Sequence, residues 1–178
     1  DPSDPASYRP IALTSCIGKI LERMVTTRFK YYLEINKILP NEQCGFRQNR
    51  STLDNLTRLS DDAFKAIHNQ KKVIAILLDL SKAFDRLDHS ILIKKLQSLN
   101  ITGNIYRYII NFLNGRTAAL KINNRIHDTF NLYAGSPQGS VISPLLFILL
   151  LHDIPLPPLI SIKLSIYADD IAIWVIGR

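Results

Sequence analysis

The sequence predicts an α+β fold, and three observations carry that prediction. Residues 160–166 alternate apolar and polar side chains and are followed by the β-branched residues of 171–175, which is typical of a half-buried hairpin. Residues 73–78 form a continuous apolar run, which is typical of a strand covered on both faces. Elsewhere apolar residues recur at intervals of three and four, which is the spacing of helices that bury one face.

The first predicted helix follows residues 1–10, whose Pro and Asp content is typical of a loop. Thr14 or Ser15 is expected to cap this helix, and Pro40 lies beyond its end. The residues that recur at the intervals of one helix face are Ile17, Ile20, Leu21, Met24, Val25 and Arg28.

A second helix is predicted after residues 41–50, which show no clear period and carry Arg47 and Arg50. Ser51 or Thr52 is its expected cap, because both side chains can accept from the first free backbone N–H groups. Its predicted buried stripe consists of Leu53, Leu56, Leu59, Ala63, Phe64 and Ile67.

Two more helices are predicted after the apolar run. Asp88 or Ser90 begins the first, and Gly103 separates it from the second, which ends at Gly115. The first contains Ile91, Leu92, Lys95, Leu96 and Leu99, and the second places Ile105, Tyr108, Ile109 and Phe112 on one face.

The rest of the chain predicts strands, a loop and one more helix. Residues 117–123 and 126–132 are expected to form two strands joined at Asn124 and Arg125. Residues 135–140 are a loop by composition, and Ser143 is a suitable cap for a buried helix that reaches Asp153. Pro155, Pro157 and Pro158 then break the chain before the final hairpin.

Three acids lie at the ends of predicted strands. Asp169 and Asp170 occupy the tip of the final hairpin, and Asp79 ends the apolar run. Aspartates also favour turns for their own backbone bonds, so Asp169 and Asp170 alone would not indicate a site. With Asp79 in a matching setting, they fit Mg²⁺, which takes oxygen ligands and usually uses one or two carboxylates plus substrate phosphates.

The composition favours a soluble protein with a polyanionic partner. The 178 residues contain 22 Lys and Arg against 15 Asp and Glu, a net charge of +7, which suits binding to nucleic-acid phosphates. Cys16 and Cys44 have no close Cys or His neighbours, so neither a zinc site nor a disulfide framework is indicated. The most apolar stretch, residues 141–151, is too short to span a bilayer.

Five blocks of the sequence resemble the reverse transcriptases of non-LTR, Jockey-like retrotransposons. In chain order they are Tyr-Arg-Pro-Ile at 8–11, Asn-Glu-Gln-Cys-Gly-Phe-Arg at 41–47, Asp-Leu-Ser-Lys-Ala-Phe-Asp at 79–85, Gly-Ser-Pro-Gln-Gly-Ser at 135–140 and Tyr-Ala-Asp-Asp at 167–170. Their order and spacing match the family, which makes coincidence improbable.

The resemblance implies the fingers and palm of a right-hand polymerase, with an antiparallel palm sheet packed on helices and the thumb absent. Residues 1–178 would then be a partial reverse transcriptase domain. About 1–72 and 93–134 would be fingers-like, and about 73–92 and 135–178 would be palm-like.

The resemblance also implies roles for individual residues. Asp79 and Asp169 would hold two Mg²⁺ ions, for which Mn²⁺ can substitute, with help from the Leu80 carbonyl and support from Asp170. Residues expected at the nucleotide are Phe84, beneath the sugar, Gln138, Gly139, and one of Arg47 and Arg50 as a triphosphate clamp. Residues expected to contact nucleic acid are Tyr167 and Lys121.

The implied function is RNA-directed DNA polymerisation, with an RNA template, a DNA primer and deoxynucleoside triphosphates as partners. We expect the 178 residues alone to bind a primed template weakly, with little turnover, in the nucleus or cytoplasm. Three alternatives stay open: an RNA-dependent RNA polymerase, a group II intron maturase, and an inactive or domesticated copy that only binds nucleic acid.

Overall fold

Ten helices and strands make up the described part of the chain, which in this computed structural model comprises residues 4, 8, 11–154 and 162–177. Their order is α1 (Cys16–Ile35), α2 (Thr52–His68), β1 (Lys72–Asp79), α3 (His89–Ser98), α4 (Gly103–Leu113), β2 (Arg116–Ile122), β3 (Arg125–Leu132), α5 (Ser143–Leu150), β4 (Ile162–Tyr167) and β5 (Asp170–Gly177). The α+β composition expected from the sequence is therefore present.

A three-stranded antiparallel sheet joins the two ends of the chain. Its strand order is β1-β5-β4, so β1 pairs with a strand that follows it by about ninety residues. The β4–β5 hairpin turns through Ala168 and Asp169, which confirms the predicted hairpin tip. The whole run 155–161, including the three prolines and the first residues of the predicted alternation, lies outside the described residues.

A separate hairpin is formed by β2 and β3. Its turn residues are Asn123 and Asn124, with φ of 47° and 63°. The predicted turn at Asn124 and Arg125 was therefore wrong by one position. Two left-handed residues give the turn that fits the twist of a tight hairpin, and asparagine tolerates this conformation better than arginine does.

The core is built from α3, α4, α5 and one side of α1. Leu92, Leu96, Ile109 and Leu113 are fully buried, and α5 is buried along almost its whole length. This helix ends at Leu150 rather than Asp153, and Ile142, not Ser143, precedes its first turn. Ser143 and Pro144 instead form the start of the helix, where proline costs no hydrogen bond.

Helix starts were predicted well at three places. Ser15 is the N-cap of α1 and Asp88 that of α3, where its carboxylate accepts from the N–H groups of Ser90 and Ile91. At α2 the Ser51 N–H donates to the Asp54 carboxylate over 2.6 Å. The turn at Gly115, with φ of 64°, follows the end of α4 as expected.

Helix α1 turns most of its predicted apolar stripe away from the core, although Val25 packs against it. The residues that it buries are Glu22, Thr26, Phe29 and Leu33. The exposed ones include Ile17, Ile20, Leu21 and Met24, with between 53% and 80% of each accessible. The amphipathic spacing was correct, but the packed side of the helix is the other one, because Phe29 and Leu33 join the core while Glu22 meets a loop.

The predicted buried stripe of α2 was wrong at four of its six positions, and the other two are half-buried. Leu53, Leu56, Phe64 and Ile67 are exposed, and Ala66 is the buried residue of this helix. The helix packs on β1 and β4 through a more polar face. There Asp62 accepts hydrogen bonds from the Lys163 ammonium and from Trp174 Nε1. Polar anchoring has replaced apolar burial at this contact.

Strand β1 is not covered on both faces as expected. Within the described part of the chain it is an edge strand that pairs with β5 alone, and six consecutive residues from 74 to 79 are exposed. Leu77 on one face is 75% accessible, and Ile74 on the other face is 64% accessible. A continuous apolar run gave no information about which elements would cover it.

No helix in the described part of the chain is both long and apolar enough to cross a bilayer.

Two leucine variants test whether the core is buried and β1 is exposed in solution. Leu92→Ala removes a fully buried side chain and should lower the free energy of unfolding by about 2–5 kcal/mol. Leu77→Ala, the matched control on the open face of β1, should change it by less than about 0.5 kcal/mol. Urea denaturation followed by circular dichroism measures both. Equal losses would mean that β1 is covered in solution.

Candidate active site

Two aspartates face each other at the end of the three-stranded sheet. Asp79, the last residue of β1, is directly opposite Asp170, the first residue of β5. Directly opposed residues of an antiparallel pair lie on one face, with Cβ atoms about 5 Å apart. Both residues are exposed, and in the described part of the chain no Lys, Arg or His side chain forms an ion pair with either.

Asp169 is held beside this pair by its backbone. Its carbonyl oxygen accepts from the Leu80 N–H over 3.3 Å, which ties the hairpin loop to the end of β1. The Leu80 carbonyl in turn accepts from the Ala83 N–H over 3.2 Å. The structure thus brings the three predicted aspartates together from positions ninety residues apart.

The donor set suits a hard divalent cation in its chemistry. Within the described residues no group of three or more Asp, Glu, His or Cys side chains is arranged to hold a metal ion. Two opposed carboxylates that have no ion-pair partner among the described residues nevertheless suit Mg²⁺. This ion often takes one or two protein carboxylates and completes its coordination shell with phosphates and water. The fit rests on Asp79 and Asp170.

A segment from the N-terminal half braces the hairpin. The Cys44 N–H donates to the Ile166 carbonyl over 2.8 Å, and the Ile166 N–H donates to the Glu42 carbonyl over 2.9 Å. From α2, the Asn55 side-chain amide donates to the same Ile166 carbonyl over 3.1 Å. These bonds fix the end of β4 immediately before the aspartates.

Gly45 makes the closest of these approaches. A Cβ at this position would lie 2.2 Å from the backbone nitrogen of Ala168, so only glycine fits. Ala168 itself has φ of 58°, a left-handed conformation that costs a non-glycine residue about 1–2 kcal/mol. Gly45 belongs to the block at residues 41–47 that resembles the reverse transcriptases, but the sequence did not predict its contact with Ala168.

The two candidate clamp arginines differ in their surroundings. The side chain of Arg47 is 6% exposed and forms a bidentate ion pair with Glu34, while its remaining donors reach the carbonyls of Pro40 and Gln43. The Arg47 guanidinium holds the pKa of Glu34 below its ordinary value, chiefly through the hydrogen bond. Among the described residues, Arg50 forms hydrogen bonds to Asn41 alone, through the carbonyl and the side-chain oxygen.

Phe84 lies in a turn rather than in an extended segment. Residues 81–86 curl back on themselves, with Asp85 and Arg86 N–H groups donating to the Lys82 carbonyl. The backbone around Asp85 is therefore not extended. The Phe84 ring is half-buried between Phe46 and Phe147, with centroid distances of 6.3 Å and 5.1 Å.

The loop at residues 135–140 is bonded to this turn. The Ser136 N–H donates to the Phe84 carbonyl over 2.9 Å, and Gln138 Nε2 donates to Asp85 Oδ1 over 2.9 Å. A Cβ on Gly135 would lie 2.7 Å from the Asp85 carbonyl oxygen. The two predicted nucleotide-contact blocks are therefore in direct contact, although 53 positions separate Asp85 from Gln138.

Segments near the N-terminus hold the other side of the same loop. The Ala12 N–H donates to the Gln138 carbonyl over 2.9 Å, and Gly139 follows with φ of 107°. Glu22 of α1 accepts from Ser140 and Val141. Sequence reasoning missed Glu22, and the spacing of α1 gave no signal for it because the apolar stripe pointed elsewhere.

The expected nucleic-acid contacts stay predictions. Tyr167 is half-buried and pairs with Asp170 across the hairpin, while Lys121 is exposed on β2. Arg116, the first residue of β2, donates to the Gly135 carbonyl over 3.1 Å. Partial burial lowers the pKa of Arg116 from its ordinary value, and its hydrogen bond to Gly135 supports the start of the loop.

Residues 1–177 match the sequence profile of the family described as reverse transcriptase (RNA-dependent DNA polymerase). The chain belongs to the reverse transcriptase family. Similar relatives include the probable RNA-directed DNA polymerase from transposon BS and the RNA-directed DNA polymerase from mobile element jockey, both of Drosophila melanogaster. They are 34% and 32% identical over 95% and 97% of this chain. The chain spans about a fifth of each relative, 19% in both.

Solved structures of two telomerases share the fold of this reverse transcriptase domain. One is the Candida albicans enzyme in complex with a fragment of telomeric RNA, with a TM-score of 0.62 and 13% identity over 88% of this chain and 30% of that one. The other is apo telomerase from Candida tropicalis, with a TM-score of 0.58 and 16% identity over 86% and 33% of the two chains. At this identity the likeness concerns the fold alone.

The contact of Gly45 with the hairpin can be tested by adding one methyl group. Gly45→Ala should lower the free energy of unfolding by about 1–3 kcal/mol, because the new Cβ must displace the Ala168 backbone. Gly18→Ala is the matched control, since Gly18 is helical and has only one atom, at 3.7 Å, near a new Cβ. It should stabilise the chain by about 0.8–1 kcal/mol. Urea denaturation of both variants measures the contrast, and a neutral Gly45→Ala would contradict the close approach.

Proposed function

We propose that this chain is the catalytic domain of an RNA-directed DNA polymerase of a non-LTR retrotransposon and that it transfers nucleotides to a primer under template direction. The observation that carries the proposal is the opposed pair Asp79 and Asp170, two carboxylates without a cation of their own at the end of the sheet. The family match and the relatives named as RNA-directed DNA polymerases support the reaction class.

The proposed metal ligands are Asp79, Asp169 and Asp170, with Mg²⁺ as the resident ion and Mn²⁺ as a substitute. When bound, two such ions supply charge neutralisation at the attacking and leaving oxygens of an in-line phosphoryl transfer. The aspartates hold negative charge where the triphosphate arrives, and the Leu80–Asp169 bond keeps their spacing. The Leu80 carbonyl already accepts one hydrogen bond, which leaves its second lone pair for a ligand role.

The nucleotide would lie between the turn at Phe84 and the loop at Gln138 and Gly139. Phe84 would close the space beneath the sugar, and Gly139 would allow the backbone to approach the nucleotide closely. Of the two arginines, we assign the triphosphate clamp to Arg50, because Glu34 and two carbonyls already engage Arg47.

The domain division is also proposed. The palm-like part, residues 73–92 and 135–178, contains all three strands of the β1-β5-β4 sheet except the first residue of β1. The fingers-like part, residues 1–72 and 93–134, contains the β2–β3 hairpin with Lys121. Lys121 and Tyr167 are proposed to contact the RNA template or the DNA primer.

Three other functions remain as alternatives, and sugar choice, turnover and intron splicing separate them from the proposal. An RNA-dependent RNA polymerase would prefer ribonucleotides, and a domesticated binding protein would bind a primed template without extending it. A group II intron maturase would bind and splice its own intron RNA. The relatives named above favour none of the three.

Loss of either opposed carboxylate should abolish extension. In the whole protein that carries this chain, Asp79→Asn and Asp170→Asn should each slow incorporation of one deoxynucleotide on an RNA template by about a thousandfold, since several kcal/mol of charge stabilisation are lost. Asp128→Asn, on the exposed face of β3, is the control and should leave the rate unchanged. Full activity of the Asp79 variant would sink the proposal.

Phe84 should set the sugar preference. Phe84→Val should raise the incorporation of ribonucleotides relative to deoxynucleotides by at least about tenfold, because a smaller side chain leaves room for a 2′-hydroxyl. Phe130→Val, at an exposed phenylalanine of β3, is the matched control and should not change the ratio. The ratio of kcat/KM values for the two sugars on one template is the measurement. An unchanged ratio in Phe84→Val would refute the proposal that the Phe84 ring excludes the 2′-hydroxyl. A wild-type preference for ribonucleotides would support an RNA polymerase instead.

A further inference from the structure

Glu22 is a buried acid outside the aspartate site. It lies in α1 with 6% of its surface exposed, and among the described residues it is the only charged residue that is buried as a whole. Burial of an unpaired carboxylate is costly, so the surroundings must compensate for the lost hydration. No ion pair with a Lys, Arg or His reaches Glu22 in the described part of the chain. The compensation comes from hydrogen bonds instead.

The two hydrogen bonds that the described residues donate to the Glu22 side chain come from one loop. Glu22 Oε2 accepts from Ser140 Oγ over 2.6 Å and from the Val141 N–H over 2.7 Å. Donation to an ionised carboxylate makes these bonds shorter and stronger than bonds between neutral groups. A single oxygen atom thus holds two successive residues that lie 118 and 119 positions further along the chain.

These two residues directly follow Gln138 and Gly139. On the opposite side, the loop is held by the bonds from Ser136 to Phe84 and from Gln138 to Asp85. The loop therefore lies between α1 and the turn that carries Phe84. With one side released, Gly139 would let the backbone swing, because glycine has few conformational barriers.

We propose that Glu22 is a positioning residue for the incoming nucleotide, acting through Ser140 and Val141 to fix the loop that presents Gln138 and Gly139. The inference rests on the proposed function of that loop. Hydrogen bonds from any nearby donors would compensate a buried carboxylate for its lost hydration. Glu22 instead accepts both bonds from Ser140 and Val141, the residues that directly follow Gln138 and Gly139.

Steady-state kinetics of the whole protein separate positioning from simple destabilisation. Glu22→Ala should raise the KM for the deoxynucleotide about tenfold. Glu22→Gln, which keeps one acceptor oxygen for both bonds, should restore KM to within about threefold of wild type. Leu92→Ala is the control, because it destabilises the core without touching the loop and should lower the active fraction at unchanged KM.

A double-mutant test then asks whether Glu22 acts through Gln138. In a Gln138→Ala background, Glu22→Ala should change KM by less than about twofold, because the group that it positions is already gone. A further tenfold rise in that background, or an unchanged KM in the Glu22→Ala single variant, would overturn the proposal.

Amide hydrogen exchange of the same proteins keeps this result separate from the proposed function. Glu22→Ala should increase exchange at residues 139–141 while protection in α3 is retained. Unchanged exchange at the loop would overturn the positioning role whatever the kinetics show. If wild type incorporates no nucleotide but the loop loosens as expected, the proposed function fails, and the nucleotide role of Glu22 fails with it.

Discussion

Two like charges across one rung of a β-ladder are the constraint on which the rest of this structure depends. The register of β1 against β5 places Asp79 opposite Asp170. Like charges in this position oppose strand pairing. A sequence selected only for stability would avoid the arrangement, and residues that break a local rule without compensation are expected at functional sites. The pair is consistent with a cation that the folded chain does not itself supply.

The surrounding structure serves to hold that pair and the space in front of it. Gly45 lets one backbone segment press against the hairpin loop, where Ala168 keeps a strained conformation. On the other side, the loop at Gln138 is bonded to the turn at Phe84 and to Glu22 of α1. Rigid support of this kind is what a site needs when catalysis consists mainly of positioning and charge neutralisation.

Local signals in the sequence were sufficient for some of these features. The β4–β5 hairpin followed from alternation, the starts of α1 and α3 followed from Ser15 and Asp88, and the end of α4 followed from Gly115. Each of these depends on residues within a few positions of one another. The three aspartates were also identified, but their proximity required the fold implied by the family resemblance.

Features that depend on distant partners were not predictable. Periodicity showed that α1 and α2 each have an apolar stripe, but not that Ile17 and Phe64 would face outward. The apolar run of β1 suggested cover on both faces because nothing local indicates an edge strand. The contacts of Gly45 with Ala168 and of Glu22 with Ser140 join residues more than a hundred positions apart, so neither residue carried a local signal of its partner.

The most direct measurement of the central claim compares stability with and without a divalent cation. In a chelating buffer, Asp79→Asn should stabilise the 178-residue chain, because it removes the repulsion with Asp170. With Mg²⁺ added, wild type should gain stability as the ion concentration rises, while Asp79→Asn should gain little and Asp128→Asn should respond as wild type does. Thermal unfolding at a series of Mg²⁺ concentrations gives the comparison. If wild type and Asp79→Asn respond equally to Mg²⁺, the opposed aspartates do not form a cation site.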